Sequence, residues 1–153
     1  MSRIILSCAL AGILGVPAFG QAVDPLIGTW KLNLEKSTFT GLASPKSMTA
    51  TWAGEGQNLA VTAEGVDAQG QPFKVILRHI YDGQPHPVTG SLTFDSNTFH
   101  RIGNSINGVR FKDGRVVEIA QAQLVPDNTY TVIEEGISPN GQPYHVVRVY
   151  ERQ

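Results

Sequence analysis

The sequence predicts an all-β domain, an antiparallel up-and-down barrel of about 8–10 strands, with a two-sheet sandwich as the alternative. Three observations lead there. Beyond residue 23, apolar and polar residues alternate with period two, the pattern of strands with one buried and one wet face. No stretch there keeps apolar residues at i, i+3, i+4 and i+7 for three turns, so no helices are expected to cover a parallel sheet. Turn-forming residues recur at short intervals, and short reversals join antiparallel neighbours.

Taken in order, residues 29–34 place Trp30, Leu32 and Leu34 on one face and Thr29, Lys31 and Asn33 on the other. The same alternation gives inward sets Met48, Ala50, Trp52, then Leu59, Val61, Ala63, then Phe73, Val75, Leu77 with His79 and Tyr81 in line. Further strands are expected over residues 91–94 and 98–102, followed by one with Val109 and Phe111 inward. Residues 115–124 carry Val116, Glu118, Ala120, Ala122 and Leu124 on one face; strands over 129–135 and 143–151 complete the set, the last presenting Tyr144, Val146, Arg148 and Tyr150. Between them, Gly54-Glu55-Gly56, Asp67-Ala68-Gln69-Gly70, Asp82-Gly83, Lys112-Asp113-Gly114, Pro126-Asp127-Asn128 and Pro139-Asn140-Gly141 suit tight reversals.

One strand-turn-strand unit occurs twice. Residues 58–73 align without gaps to residues 129–144, so that Val61, Glu64, Gly65, Gly70, Gln71 and Pro72 match Val132, Glu135, Gly136, Gly141, Gln142 and Pro143. Each proline falls at a strand start, where its missing N–H does least harm.

The first residues have the form of an export signal. Arg3 precedes an apolar run from Ile4 to Val16, shorter than the roughly 18 residues a spanning helix needs, and small residues follow. We expect a signal peptide at residues 1–20, with cleavage possible as late as residue 22, and one β domain at 21–153. Ile5-Leu6-Ser7-Cys8 looks like a lipoprotein attachment box, but no apolar run precedes it. The mature protein would then be periplasmic or secreted, with no stable membrane insertion. Cys8 is the only cysteine and leaves with the leader, so an apolar core rather than a disulfide must hold the domain. The net charge of −1 falls by one more unit when Arg3 is lost, which argues against a nucleic-acid or anionic-membrane binder.

Asp24-Pro25-Leu26-Ile27-Gly28-Thr29-Trp30 resembles the opening of lipocalins, in which a short turn leads to a Gly-x-Trp whose indole plugs the closed end of the barrel. With Lys36-Ser37-Thr38-Phe39, Gly65 to Gly70 and Tyr81-Asp82-Gly83, most of the mature chain is similar to uncharacterised secreted bacterial proteins of lipocalin-like, calycin type. The resemblance implies a lipocalin-like barrel, a structural plug at Gly28 and Trp30, and an arginine near the last strand packed over the indole, for which Arg148 is the candidate. It implies no defined activity.

No nucleophile elbow, phosphate-cradling glycine loop or dinucleotide fingerprint occurs, so no cofactor is expected. His79, His86, His100 and His145 lack metal-ligand spacing, so none is expected to hold a metal; His86 reads as a loop residue, His100 and His145 as solvated. Adjacent Glu134 and Glu135 point to opposite faces and read as a charged strand end. Arg101, Arg110, Lys112 and Arg115 could form a surface patch, but interleaved aromatics are missing, and no nucleic-acid partner is expected.

The informative residues are polar ones on inward faces: His79, Glu118 and Arg148. Unpaired burial of such groups is costly. They pair with one another, Glu118 satisfying an Arg148 stacked on Trp30; or they line a wet cavity; or a strand is misread by one residue, which would turn every side chain around. The leading expectation is an exported barrel that binds a small, largely apolar ligand, with His79, Tyr81, Glu118, Arg148, Tyr150 and Trp52 lining the interior. A second is an envelope or extracellular interaction module in which Phe73, Leu77, Phe111 and Tyr150 pack a solid core. A third makes His79 or Glu118 a general acid or base, which requires two such groups within hydrogen-bond reach.

Overall fold

A computed structural model describes residues 23–56, 58–125 and 128–153. The leader expected at residues 1–20 lies outside them. Ten strands form: β1 (Gly28–Thr40), β2 (Ser47–Glu55), β3 (Asn58–Val66), β4 (Pro72–Ile80), β5 (His86–Pro87), β6 (Ser96–Ile102), β7 (Ser105–Lys112), β8 (Arg115–Val125), β9 (Thr129–Ile137) and β10 (Pro143–Arg152). They make one antiparallel sheet in the order β4-β3-β2-β1-β10-β9-β8-β7-β6-β5, so every neighbour is a chain neighbour except β1 and β10, which close the meander. The fold is therefore the nearly closed up-and-down barrel and not the sandwich, and no helix occurs among the described residues. At the remaining seam Ile76 and Thr89 exchange backbone hydrogen bonds of 2.9 and 3.1 Å, and Asn97 Nδ2 donates to Arg78 O at 3.1 Å. These bonds pair Ile76 and the Arg78 carbonyl on an edge that would otherwise be open.

The repeated sequence unit is a repeated structure. In β3–β4, Val61 opposes Leu77 and Gly65 opposes Phe73; in β9–β10, Val132 opposes Arg148 and Gly136 opposes Tyr144, the same register displaced along the chain. The turns match bond for bond: Asp67 N to Gln71 O and Gly70 N to Asp67 O in one, Ser138 N to Gln142 O and Gly141 N to Ser138 O in the other. Gly70 and Gly141 take φ of 91° and 79°, a backbone that side chains disfavour.

One end of the barrel is sealed. Trp30 is fully buried there, its Nε1 donating to Leu26 O at 2.8 Å and its ring meeting Tyr130 edge-on at 4.9 Å. The turn that delivers it is held by Asp24, which accepts from Leu26 N and pairs with Arg101 of β6. The residue over the indole is Arg152, 4.1 Å from the ring, and not Arg148 as the lipocalin resemblance implied. Both lie on one face of β10, but Arg152 reaches the end of the strand, where its guanidinium also donates to the carbonyls of Pro25 and Ile27. Gly28 (φ 134°) leaves room for it, since a Cβ there would stand 2.7 Å from Arg152 Nη1.

Inward assignments at Leu34, in β7 and at Val116 are corrected, the first and last by bulges and the second by register. Leu34 is exposed because β1 bulges: Asn33 pairs with Val149 and Thr38 with Val147, leaving four residues opposite Arg148. Ser37 Oγ substitutes in the broken ladder, donating to Asn33 O and accepting from Val149 N. In β7 the inward set is Ile106, Gly108 and Arg110, whereas Val109 pairs with outward-facing Ile119, so the expected strand was read one residue out of register. The inward position opposite Phe99 holds glycine, where a Cβ would meet the Phe99 ring at 2.5 Å. A second bulge pairs Arg110 with Glu118 but Phe111 with Val116, turning Val116 outward and Val117 toward the interior. Residues 91–94 form no strand; Ser91 Oγ caps a bend there, and the strand begins at Ser96.

Candidate ligand cavity

Above the Trp30 floor lies an aromatic layer. His79 stacks on Phe99 at 3.6 Å and 11° and meets Trp52 at 4.4 Å, while Tyr130 stacks on Tyr150 at 4.6 Å. Trp52 Nε1 donates to Tyr130 OH at 3.4 Å, and Tyr150 OH reaches Met48 Sδ at 3.2 Å. Burial, reinforced by Arg110 and Arg101, pushes the His79 pKa well below its ordinary value, so the ring is neutral. Its Nδ1 is buried without a hydrogen-bond partner. Burial raises the pKa of Tyr130 and Tyr150.

The next layer is ionic. Glu118 of β8 accepts from Arg110 Nη1 through one oxygen and from Tyr144 OH through the other. Glu134 of β9 accepts from Arg110 Nη1 at 3.0 Å through one oxygen, and Arg148 Nη1 pairs with the other. The four charged side chains are only 5–15% exposed. Arg110 stacks on Phe94 at 4.7 Å, and Arg148 lies 5.8 Å over Phe39. Burial, with Glu118 beside it, keeps the Tyr144 hydroxyl protonated well above its usual range. Two cations and two anions thus balance inside the barrel, all four carboxylate oxygens hold a donor, and the Nε of both arginines is buried without an acceptor.

This layer divides the interior. Toward the open end is a cavity of about 630 Å³, walled by apolar residues such as Leu42, Phe73, Val75, Leu77 and Val117 and floored by the charged cluster. Toward the sealed end is a chamber of about 70 Å³ lined by Trp52, His79, Phe99 and Tyr150 among others. Met48, Ala63, Leu77, Arg110, Glu134 and Arg148 border both. The space contradicts the solid core of the second expectation: Phe73 and Leu77 face it, and Tyr150 borders the inner chamber.

Of the expected interior residues, Trp52, His79, Arg148 and Tyr150 line the inner chamber, and Glu118 and Arg148 the outer cavity. Tyr81 borders neither; it sits half-buried beside His79 and opens onto an outer depression with His100 and Arg101. No hydrogen bond joins His79 to Glu118 among the described residues, so the pairing that the acid–base expectation required is not formed. Sequence reasoning missed Arg110, Glu134 and Tyr144 as a unit. Glu134 is no charged strand end: it points into the barrel while Glu135 points out to His145 at 3.0 Å. The cations that are close in sequence are dispersed in space: Arg110 is interior, Arg101 holds Asp24 and Lys112 faces Asp95. The findable signal was the cross-strand pairing of Arg110 with Glu118 once Ile106 and Gly108 are taken as inward.

No protein-family model matches the sequence, and no curated protein matches it significantly. Solved structures do share the fold. A zebrafish ileal bile acid-binding protein, crystallised with cholic acid, superposes with a TM-score of 0.55 at 9% identity, over 85% of this chain and 100% of its own. Rv2717c from M. tuberculosis superposes with a TM-score of 0.51 at 14% identity, over 84% and 93%. At these identities the likeness is one of fold alone, a nearly closed antiparallel β-barrel.

Proposed function

We propose that this chain is an exported, lipocalin-like carrier that holds one small, largely apolar molecule inside the barrel. The observation that supports this most is the open cavity of about 630 Å³, within the size range of small-molecule sites and apolar except at its floor. Close packing is the rule in protein interiors, so a barrel that leaves an apolar-walled space of this size open departs from it in the way a ligand site does. The zebrafish barrel, with cholic acid bound, supports the same use of the fold. Export, to the periplasm or outside the cell, rests on the leader at residues 1–20.

Native mass spectrometry of mature protein, purified gently from its own compartment, tests the carrier reading. A mass excess released by denaturation is expected. A clean apo mass together with failure to bind any apolar fluorescent probe overturns it. The same spectrum tests export: the chain should begin at Gln21 or Val23, and retention of Met1 refutes the leader.

A further inference from the structure

The cluster at the cavity floor says what polar end a ligand can have. We infer that the cavity selects an uncharged amphiphile whose head presents a hydrogen-bond acceptor, a carbonyl, ether or hydroxyl oxygen, and discriminates against carboxylates; this rests on the carrier reading. The charges are already balanced: Arg110 and Arg148 face Glu118 and Glu134, and each carboxylate oxygen has its donor. An anionic head would add an unbalanced negative charge beside two buried glutamates, and a cationic head would meet two arginines whose acids are taken. Both are penalised where the surroundings screen weakly.

What the layer lacks is an acceptor. Two guanidinium groups bring ten N–H donors between them, and the four carboxylate oxygens are shared with the Tyr144 hydroxyl. The unmatched Nε groups of Arg110 and Arg148 mark this surplus. An uncharged oxygen arriving above the floor can accept from the guanidinium edges that border the cavity without disturbing the charge balance, while its chain lies along Leu77, Phe73 and Val117.

Competition against Nile red on the mature protein near neutral pH tests the inference, using dodecan-1-ol, dodecanamide and dodecanoate below their aggregation limits. The uncharged compounds should displace the dye at concentrations at least about tenfold lower than dodecanoate. In Glu134→Gln, which leaves the two arginines one acid short, the preference should shift toward dodecanoate by about tenfold or more. Glu118→Gln makes the same test should the first variant fail to fold, and the wild-type comparison needs neither. Equal or better competition by dodecanoate on wild type overturns the inference and leaves the carrier reading standing. An unchanged preference in the folded Gln variants also overturns it. If neither dye nor amphiphile binds, directly or by calorimetry, the carrier reading falls and this inference with it.

Discussion

Glu134 and Glu135 are adjacent, chemically identical and opposite in environment, so one pair of substitutions isolates what burial does to a carboxylate. Glu134 is 5% exposed and serves two arginines; Glu135 is 56% exposed and meets only His145. Glu134→Gln removes the sole acid paired with Arg148 and one of two paired with Arg110, and breaking a buried pair by deleting one partner costs about 3–5 kcal/mol. Glu135→Gln breaks a solvated contact worth about 0.2–1 kcal/mol. Urea unfolding followed by tryptophan fluorescence reads the difference, because Trp30 and Trp52 are both buried. With a slope of about 1–3 kcal/mol per molar urea, the Glu134 variant should lose at least about 1 M in midpoint and the Glu135 variant much less. Midpoints that agree within error would refute the buried ionic layer.

Three further outcomes follow from the same interior. Since folding holds the His79 pKa below its unfolded value of 6.5, its neutral form stabilises the fold above that pH, and the contribution is lost as pH falls through 6.5 toward the depressed value; the stability gap between wild type and His79→Gln should therefore narrow on acidification, and a constant gap counts against a buried neutral ring. All four tyrosines, Tyr81, Tyr130, Tyr144 and Tyr150, have raised pKa values, chiefly from burial; stability present below about pH 10 should drain away above it, and the buried pair Tyr130 and Tyr150 should ionise only with unfolding, so a Tyr130→Phe or Tyr150→Phe variant that loses part of a reversible native tyrosinate band near pH 10 would show that phenol to be accessible. Gly65→Ala and Gly136→Ala should each cost about 1–3 kcal/mol by thermal unfolding, because the new Cβ would stand 2.1 Å from Ser47 O in one and 2.5 Å from Val117 O in the other; two neutral outcomes would mean that the paired strands approach less closely.

Strand content, turn positions and the duplicated hairpin were legible because each depends on local pattern: period two, turn residues and a gapless self-alignment. The burial of Trp30 was legible from its motif, whereas the arginine above it was not. Arg148 and Arg152 share a face of β10, and only the strand's end in space decides between them. The errors in Leu34, Val109 and Val116 trace to backbone irregularities or to a register set from across the sheet, and alternation carries no phase information past a bulge. The ionic layer failed for a related reason. Apolar Val109 and Phe111 drew the inward face onto themselves, and Arg110 became inward only because Glu118 and Glu134 arrive from β8 and β9 to neutralise it.

The duplicated hairpin offers a way to ask what that layer does, because the barrel contains its own control. Ala63, Phe73 and Leu77 of β3–β4 occupy the positions that Glu134, Tyr144 and Arg148 hold in β9–β10, and Ala63 and Leu77 are buried at 5% and 6% exposure. The same backbone therefore accepts apolar residues at both positions where the second copy carries a charge. Copying the first hairpin into the second, as Glu134→Ala with Arg148→Leu, deletes one charge of each sign and leaves Arg110 balanced by Glu118. Desolvation costs disappear with the pair, and exchange of a buried ion pair for apolar residues is often neutral or stabilising by about 1–4 kcal/mol. The double variant should unfold within about 1 kcal/mol of wild type or above it, although Glu134→Ala alone loses about 3–5 kcal/mol. That recovery would mean that Glu134 and Arg148 add nothing to stability as a pair, and it would leave their effect on what the cavity binds as the remaining reason for two charges at its floor. A double variant no more stable than Glu134→Ala alone would instead make Arg148 an independent support of the wall, acting through Phe39 just beyond the β1 bulge.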